Sequence, residues 1–340
     1  MPRVAVLFTG GTISMRHDAT AGGNVPVLDG AALLAAVPGL DRIADVVPSD
    51  HGLTPASHFG FDALFEIARG VGDAASDPTI DGIVVVQGTD TIEETAFFLD
   101  LLHDGPKPLV VTGAMRSASQ AGYDGPANLT AAIRVAASEE ATAAAIGVVV
   151  VLGGSIEPAD DVTKTHASAY DTFQSLNRGA LGRVDGDAVV LTATRGRRRH
   201  VATTTAAPRV FLVTATVATD ATPLAALHAA GADGFVVAAT GAGNTSPALL
   251  GAAEAALADG LPVVLATRCP AGAASGGYAF PGGGATWLRA GAIAAGHLTG
   301  PKARIALALG IGAELRGDGL AALLADPEPL HDPDWYWKDR

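Results

Sequence analysis

A single cysteine, Cys269, stands in this chain of 340 residues. One cysteine closes no internal disulfide and makes no CxxC motif, so stapling and paired-thiol chemistry are excluded. Long apolar runs are also missing. The longest, such as 144–152, fall far short of the roughly 18 to 20 residues a membrane helix requires, so they read as buried strands and no membrane span is expected. Positive charge is scarce, with 22 Lys and Arg against 35 Asp and Glu and a formal net charge of -13. Nucleic acid is therefore not expected as a partner, because phosphate recognition rests on a basic face. Met1-Pro2-Arg3 runs directly into an apolar strand, without the apolar segment and cleavage site of a secretory signal. With the lone cysteine, this places the expected location in the cytoplasm.

What the chain does have is apolar mass, 49% of its residues, enough for two domain-sized cores. Strand-like runs alternate with helical ones in a βαβ rhythm, which demands a largely parallel sheet covered by helices. Helices are expected over 30–37, 61–71, 92–103 and 126–138, with Asp29 and Thr91 placed to cap two of them. Strands are expected at 4–8, 82–86, 108–112 and 146–152. A hairpin turning at Asp185-Gly186 finishes the first domain. The rhythm restarts at Arg209 with strands over 209–213, 234–239 and 262–267 and helices over 222–230 and 246–258. A last helix over 301–309 opens on a proline, whose missing N–H costs nothing there. The expected architecture is two α/β domains: a larger catalytic one over 1–193 with a mixed or parallel sheet, and a smaller parallel-sheet one over 209–340. A linker spans 194–208. Its basic start, Arg195 to His200, reads as a solvated connection.

Two loops stand out. Thr9-Gly10-Gly11-Thr12-Ile13 follows the first strand and Gly88-Thr89-Asp90-Thr91 follows the 82–86 strand, so both leave the carboxyl ends of buried strands, where open α/β sheets place their ligand sites. A threonine hydroxyl becomes a useful nucleophile only when a base accepts its proton and donors hold the developing oxyanion. Gly10 and Gly11 leave the main chain open, and their N–H groups, with those near Gly88, can form an anion-binding nest. Thr89 and Asp90 set a hydroxyl beside a carboxylate. Lys164, in Asp161-Val162-Thr163-Lys164-Thr165, supplies a cation which, partly withdrawn from water, can act as base toward a neighbouring hydroxyl. Each motif has a plain structural reading too: a strand-to-helix turn, a helix start with Thr91 as N-cap and Glu94 completing a capping box, a surface lysine. The coincidence of all three in one α/β domain favours chemistry.

Taken together the motifs resemble the bacterial-type L-asparaginase and glutaminase-asparaginase family. Residues 8–13 resemble its first signature, 87–96 its second and 161–165 its lysine motif. Thr112-Gly113-Ala114-Met115-Arg116, Gly243-Asn244 and 300–304 match further segments, so the resemblance covers nearly the whole chain. It implies that Thr12 attacks a side-chain amide, releasing ammonia and leaving an acyl-enzyme that water hydrolyses. It further implies that Thr89, Asp90 and Lys164 handle protons, that Gly11, Gly88 and the Ala114 carbonyl place the substrate, and that Asp90 faces its α-ammonium. Asn244 would act on a neighbouring subunit of a homodimer or homotetramer. The substrate would be L-asparagine, with L-glutamine as a second candidate. No metal or organic cofactor is implied, in keeping with nine histidines that lack HExxH or closely paired spacing.

The chain also departs from the family pattern. Gln87 stands where many members have His, and an amide cannot titrate, so no proton shuttle resides there. The lid over 14–26 contains no tyrosine, although a lid tyrosine often supports the nucleophile in relatives. His17 is the titratable candidate in that lid, and a histidine on such a loop reads first as a bystander and only second as a stand-in for the tyrosine. The family's substrate-binding Ser-Gln or Ser-Ser pair falls on Asp50 and His51, or on Ser49 and Asp50 one residue earlier. A broader amidohydrolase, an amidase-like amidotransferase subunit and a catalytically silent sensor stay open as alternatives. A nucleotide-binding protein using Gly10-Gly11 as a phosphate loop does not fit, since no Gly-Lys-Ser/Thr or GxGxxG follows the first strand. Trp335-Tyr336-Trp337 reads as packing against its own domain.

Overall fold

The computed structural model describes residues 1–327, so the Trp335-Tyr336-Trp337 segment lies outside the described residues. The chain divides into two compact units, Met1–Arg195 and Gly196–Arg340, both α/β.

The first unit opens with β1 (Arg3–Phe8), a 3-10 turn at Thr12–Ser14, and the hairpin of β2 (Met15–Asp18) and β3 (Gly23–Pro26). Then come α1 (Gly30–Ala35), β4 (Asp45–Asp50), α2 (Phe61–Ser76), β5 (Gly82–Val86), α3 (Ile92–Leu102), β6 (Leu109–Thr112) and α4 (Gly125–Ala136). The short α5 (Glu139–Ala143) leads to β7 (Val148–Leu152) and β8 (Ser155–Pro158). A separate antiparallel pair, β9 (Val162–Lys164) and β10 (Phe173–Ser175), precedes the closing hairpin of β11 (Gly182–Asp185) and β12 (Ala188–Leu191).

Eight of these strands form one sheet in the order β12-β11-β8-β7-β6-β5-β1-β4. From β7 to β4 they run parallel, and β8, β11 and β12 add an antiparallel edge. The central parallel strands are buried on both faces: Ile83, Val84, Val85 and Val86 of β5 are each 0% exposed, which accounts for their unbroken apolar run. The chain goes from β1 to β4 on one side and then to β5 on the other. Strand order thus reverses between β1 and β5, the point at whose carboxyl ends open α/β sheets place their ligands.

Several expectations change here. Asp29 caps α1 as expected, accepting from Ala32 N at 2.8 Å, but Thr91 makes no side-chain cap on α3. Its hydroxyl instead donates to the Ala56 carbonyl at 3.2 Å, because a 3-10 turn at Ala56–His58 packs against the start of that helix. The lid over 14–26 carries β2 and β3, which no expectation placed there, docked on the 117–119 segment through His17 N donating to Ser119 Oγ at 3.0 Å. The closing hairpin turns on Gly186 and Asp187, one residue later than expected, with Gly186 at φ 60° in the left-handed region that glycine tolerates.

The second unit stacks β13 (Val210–Thr214), β14 (Gly234–Ala239), β15 (Val263–Thr267) and β16 (Ile293–Ala294) as a parallel sheet in that order. Helices α6 (Thr222–Ala229) and α7 (Pro247–Ala258) connect the first three strands, and α8 (Gly284–Arg289) precedes β16. The expected last helix extends over α9 (Gly300–Gly312) and is followed by α10 (Asp318–Leu324). Phe235, Val237, Leu249, Leu265 and Trp287 build the buried core of this unit. Among the described residues no helix is long and apolar enough to cross a membrane.

The basic run at 195–200 is not simply solvated, since Arg195 and Arg199 are both buried and ion-paired. In the second unit Asp326 accepts from Arg199 Nη2 at 2.7 Å and pairs with His297 Nδ1 at 2.5 Å. Burial pushes the Asp326 carboxyl up, but the His297 hydrogen bond and the Arg199 charge more than offset it and hold the group below the ordinary aspartate value. A depressed folded pKa contributes stability that is present above the unfolded value, 3.8, and lost as pH falls through the folded one. Acid titration of wild type should therefore show a loss of stability below about pH 4 that Asp326→Asn, already destabilised at neutral pH, lacks. Parallel acid unfolding curves for the two proteins would contradict this.

Candidate active site

The loops after β1 and β5 meet because glycine lets them. Gly11 lies at φ 95°, and a Cβ placed there would come within 2.1 Å of Gly88 N, so any larger residue would push the two motifs apart. Thr9 strengthens the junction, its N–H and its hydroxyl both donating to the Val86 carbonyl, at 2.9 and 3.1 Å. Thr12 opens its 3-10 turn directly beyond Gly11 and is half-buried, whereas Ile13 beneath it is fully buried in the core. Among the described residues the Thr12 hydroxyl takes no hydrogen bond, so the backbone of the turn sets its position.

Thr89 and Asp90 occupy a 3-10 turn at the head of α3, and β9 brings Lys164 to them. Lys164 Nζ donates to Thr89 Oγ1 at 3.0 Å and to Asp90 Oδ1 at 2.8 Å. The Lys164 side chain is 14% exposed and that of Asp90 73%, so the amine is shielded while its counter-ion reaches solvent. Thr89 is itself buried at 5% exposure. The β9 strand is fixed from two sides: Thr163 Oγ1 donates to Glu93 of α3, and β10 pairs Phe173 opposite Lys164. Asp90, Lys164, Thr165, His166 and Ala167 line an open depression of about 340 Å³. As a neutral amine, Lys164 is placed to take the Thr89 proton, and as an ammonium to stabilise its alkoxide.

The loop after β6 completes the floor. Ala114 is fully buried, and Asp124 organises the segment by accepting from Met115 N at 3.0 Å and Arg116 N at 2.9 Å. Asn128 of α4 donates to the Gly113 carbonyl at 3.0 Å and to Asp124 at 2.9 Å. Tyr123 donates to the Ile13 carbonyl at 2.7 Å, tying this loop to the Thr12 turn. Burial, helped by the Asp124 charge and opposed by Arg16, pushes its phenol up to about 12.

The proposed pair at Asp50 and His51 does not join this cluster. β4 sends alternate side chains to opposite faces, so Asp50 accepts from Gly30 N at the start of α1 at 3.0 Å. His51 takes the other face, its Nε2 3.1 Å from Ser49 Oγ and its ring against Gly70 of α2. The segment that does pack on the Gly88–Thr91 turn is Ala56–His58, which places the exposed Ser57 there. Gln87 is fully buried with Nε2 donating to its neighbour Gly88 O at 3.2 Å, which leaves Oε1 without a partner among the described residues. In the second unit, Asn244 follows β14 in a loop closed by Thr240, whose N–H and hydroxyl donate to the Asn244 carbonyl at 2.9 and 2.7 Å. Its side-chain Oδ1 is buried without a partner among the described residues.

Both units match known family models. Residues 3–196 match the model "Asparaginase, N-terminal", and residues 209–324 match "Glutaminase/Asparaginase C-terminal domain". The chain belongs to the asparaginase family. It is accordingly an enzyme of the hydrolase class that acts on linear amides. A "Probable L-asparaginase" of Deinococcus radiodurans is 39% identical to this asparaginase-family chain over 318 residues, covering 90% of it and 92% of the relative. "L-asparaginase 2" of Escherichia coli is 33% identical over 319 residues, covering 92% and 89%. A crystal structure of a "Probable Cytoplasmic L-asparaginase" from Campylobacter jejuni superimposes with a TM-score of 0.85 at 28% identity, covering 95% of this chain and 99% of that one.

Proposed function

We propose that this chain hydrolyses the side-chain amide of L-asparagine to L-aspartate and ammonia through an ester on Thr12. The observation that supports this best is the hydrogen-bonded set of Lys164 with Thr89 and Asp90, beside the loop contact that brings Thr12 to the same strand ends. Thr12 Oγ attacks the amide carbon, the C–N bond breaks, and the nitrogen leaves as ammonia with the proton the hydroxyl gave up. Water then attacks the ester, its proton passing to the Thr89–Lys164 pair, and Thr12 regains a proton as aspartate leaves. Gly11 and Gly88 N–H groups hold the developing oxyanion, and the Ala114 carbonyl and Asp90 receive the amide and α-ammonium groups. Asn244 acts from a neighbouring subunit in a homodimer or homotetramer.

The test is ammonia release from L-asparagine, L-glutamine and small amides, repeated with hydroxylamine competing with water. An acyl-enzyme yields the aspartyl hydroxamate, and asparagine should be the best substrate. No ammonia from any amide would sink the reading, while ammonia without hydroxamate would remove the covalent intermediate.

A further inference from the structure

The lid over 14–26 holds no tyrosine, yet a phenol reaches the nucleophile turn from elsewhere in the fold. In that turn the carbonyls of Gly11, Thr12 and Ser14 are bonded by N–H groups of Ser14, Met15, Val27 and Leu28, all from the lid or the two residues that directly follow it. The Ile13 carbonyl is different. Its donor is Tyr123 Oη at 2.7 Å, from the loop that runs between β6 and α4. We propose that Tyr123 is a positioning residue for the nucleophile, its phenol fixing the Thr12–Ser14 turn independently of the lid. The proposal rests on Thr12 being the nucleophile.

Three observations carry it. First, the Thr12 hydroxyl has no hydrogen-bond partner among the described residues, so the turn's backbone determines where the oxygen stands. Second, the anchor is itself rigid. The Tyr123 ring lies against the Gly125 backbone, leaving no room for a Cβ there, and its neighbour Asp124 is bonded to Met115 N, Arg116 N and Asn128 Nδ2. Asn128 in turn holds Gly113 O and Gly153 N, both at 3.0 Å, so the phenol stands on a network spanning the loops after β6 and β7. Third, a phenol held at about 12 stays protonated throughout the working range and is a permanent donor to the carbonyl. It cannot serve as the base that activates Thr12 near neutral pH, which separates positioning from proton transfer. The same network carries the Ala114 carbonyl, so one loop registers the nucleophile against the substrate-placing group. A lid that opens for substrate would then leave the nucleophile where it was.

Tyr123→Phe removes the donor and keeps the ring. A displacement of the order of 1 Å at a reacting atom costs on the order of 10²-fold, so kcat should fall roughly 10- to 100-fold while KM for asparagine stays within about two-fold. Tyr170→Phe is the control. It deletes another phenol-to-carbonyl bond on the same loop, Tyr170 to Gly122 O at 2.7 Å, and should keep wild-type kcat. Amide exchange of Ser14 and Met15, read by mass spectrometry on the folded proteins, should rise in Tyr123→Phe alone. Thr12→Ala, measured alongside, distinguishes the two assumptions: retained activity there would overturn the nucleophile assignment. With Thr12→Ala inactive, a wild-type kcat in Tyr123→Phe, an equal loss in both phenol variants, or a change confined to KM would overturn the role of Tyr123. Should Tyr123→Phe prove too unstable to assay, unchanged exchange at Ser14 and Met15 in its folded fraction would also overturn it.

Discussion

Thr12→Ala is expected to lower kcat/KM for asparagine by about 10⁴-fold or more, with a melting temperature close to wild type. The size follows from what the proposed mechanism loses: without the Thr12 hydroxyl no ester forms there, and the residual rate comes from the donors that still bind the amide. Stability should survive because the half-buried Thr12 hydroxyl makes no hydrogen bond among the described residues, and the turn is held by its backbone. Lys164→Met should follow in the same direction by roughly 10²- to 10⁴-fold, the range for losing a positioned acid–base group. Its effect should fall on hydroxamate formation as well as on hydrolysis if the amine serves both halves of the reaction. Steady-state ammonia release with thermal melts checks both variants. A Thr12→Ala protein within ten-fold of wild type would remove the covalent mechanism.

The parts of the fold that the sequence made legible are those governed by local physics. Val84, Val85 and Val86 announce a buried parallel strand because both faces of β5 are covered, and Asp29 announces a helix start because its carboxylate bonds a backbone N–H three residues on. β4 was not anticipated, since an edge strand containing Pro48, Ser49 and Asp50 carries neither a continuous nor an alternating apolar signal. β4 carries Asp50 and His51 to the α1 and α2 sides, and it is the 3-10 turn at Ala56–His58, which no sequence pattern marks, that packs on the Gly88–Thr91 turn. The loops that carry Thr12, Thr89 and Asp90 were legible because strand ends and small glycine-rich turns mark them, and Lys164, which bonds to Thr89 and Asp90, was singled out by its own short motif. Tyr123 was not, because its partner Ile13 lies 110 residues away and no local pattern records a tertiary hydrogen bond. Asp124 occupies the N-cap position of α4, yet its carboxylate serves the 115–116 backbone instead.

The same blindness to tertiary partners applies to the basic run at 195–200, and it leads to the largest expected loss of stability. Arg195→Met should destabilise the first unit by about 3–5 kcal/mol, the cost of removing one member of a buried charge cluster. Its guanidinium reaches Asp100 at 2.6 Å and Asp160 at 3.0 Å, with side-chain exposures of 5% for Arg195 and 2% for Asp100. It also donates to the carbonyls of Ile146 and Val148, at 2.9 and 2.7 Å. Burial works against the charge, but the two carboxylates more than offset it and hold the guanidinium above its already high ordinary value. Methionine fills much of the stem volume but takes the guanidinium away from the buried Asp100 and the largely buried Asp160, so the loss exceeds that of a surface pair by several-fold. Adding Asp100→Leu should recover part of it, because the apolar replacement takes one of those charges away. Denaturant unfolding at low and at high salt should show nearly the same difference, since buried charges are poorly screened. A loss below about 1 kcal/mol, or one that vanishes in salt, would mean that Arg195 is solvated after all.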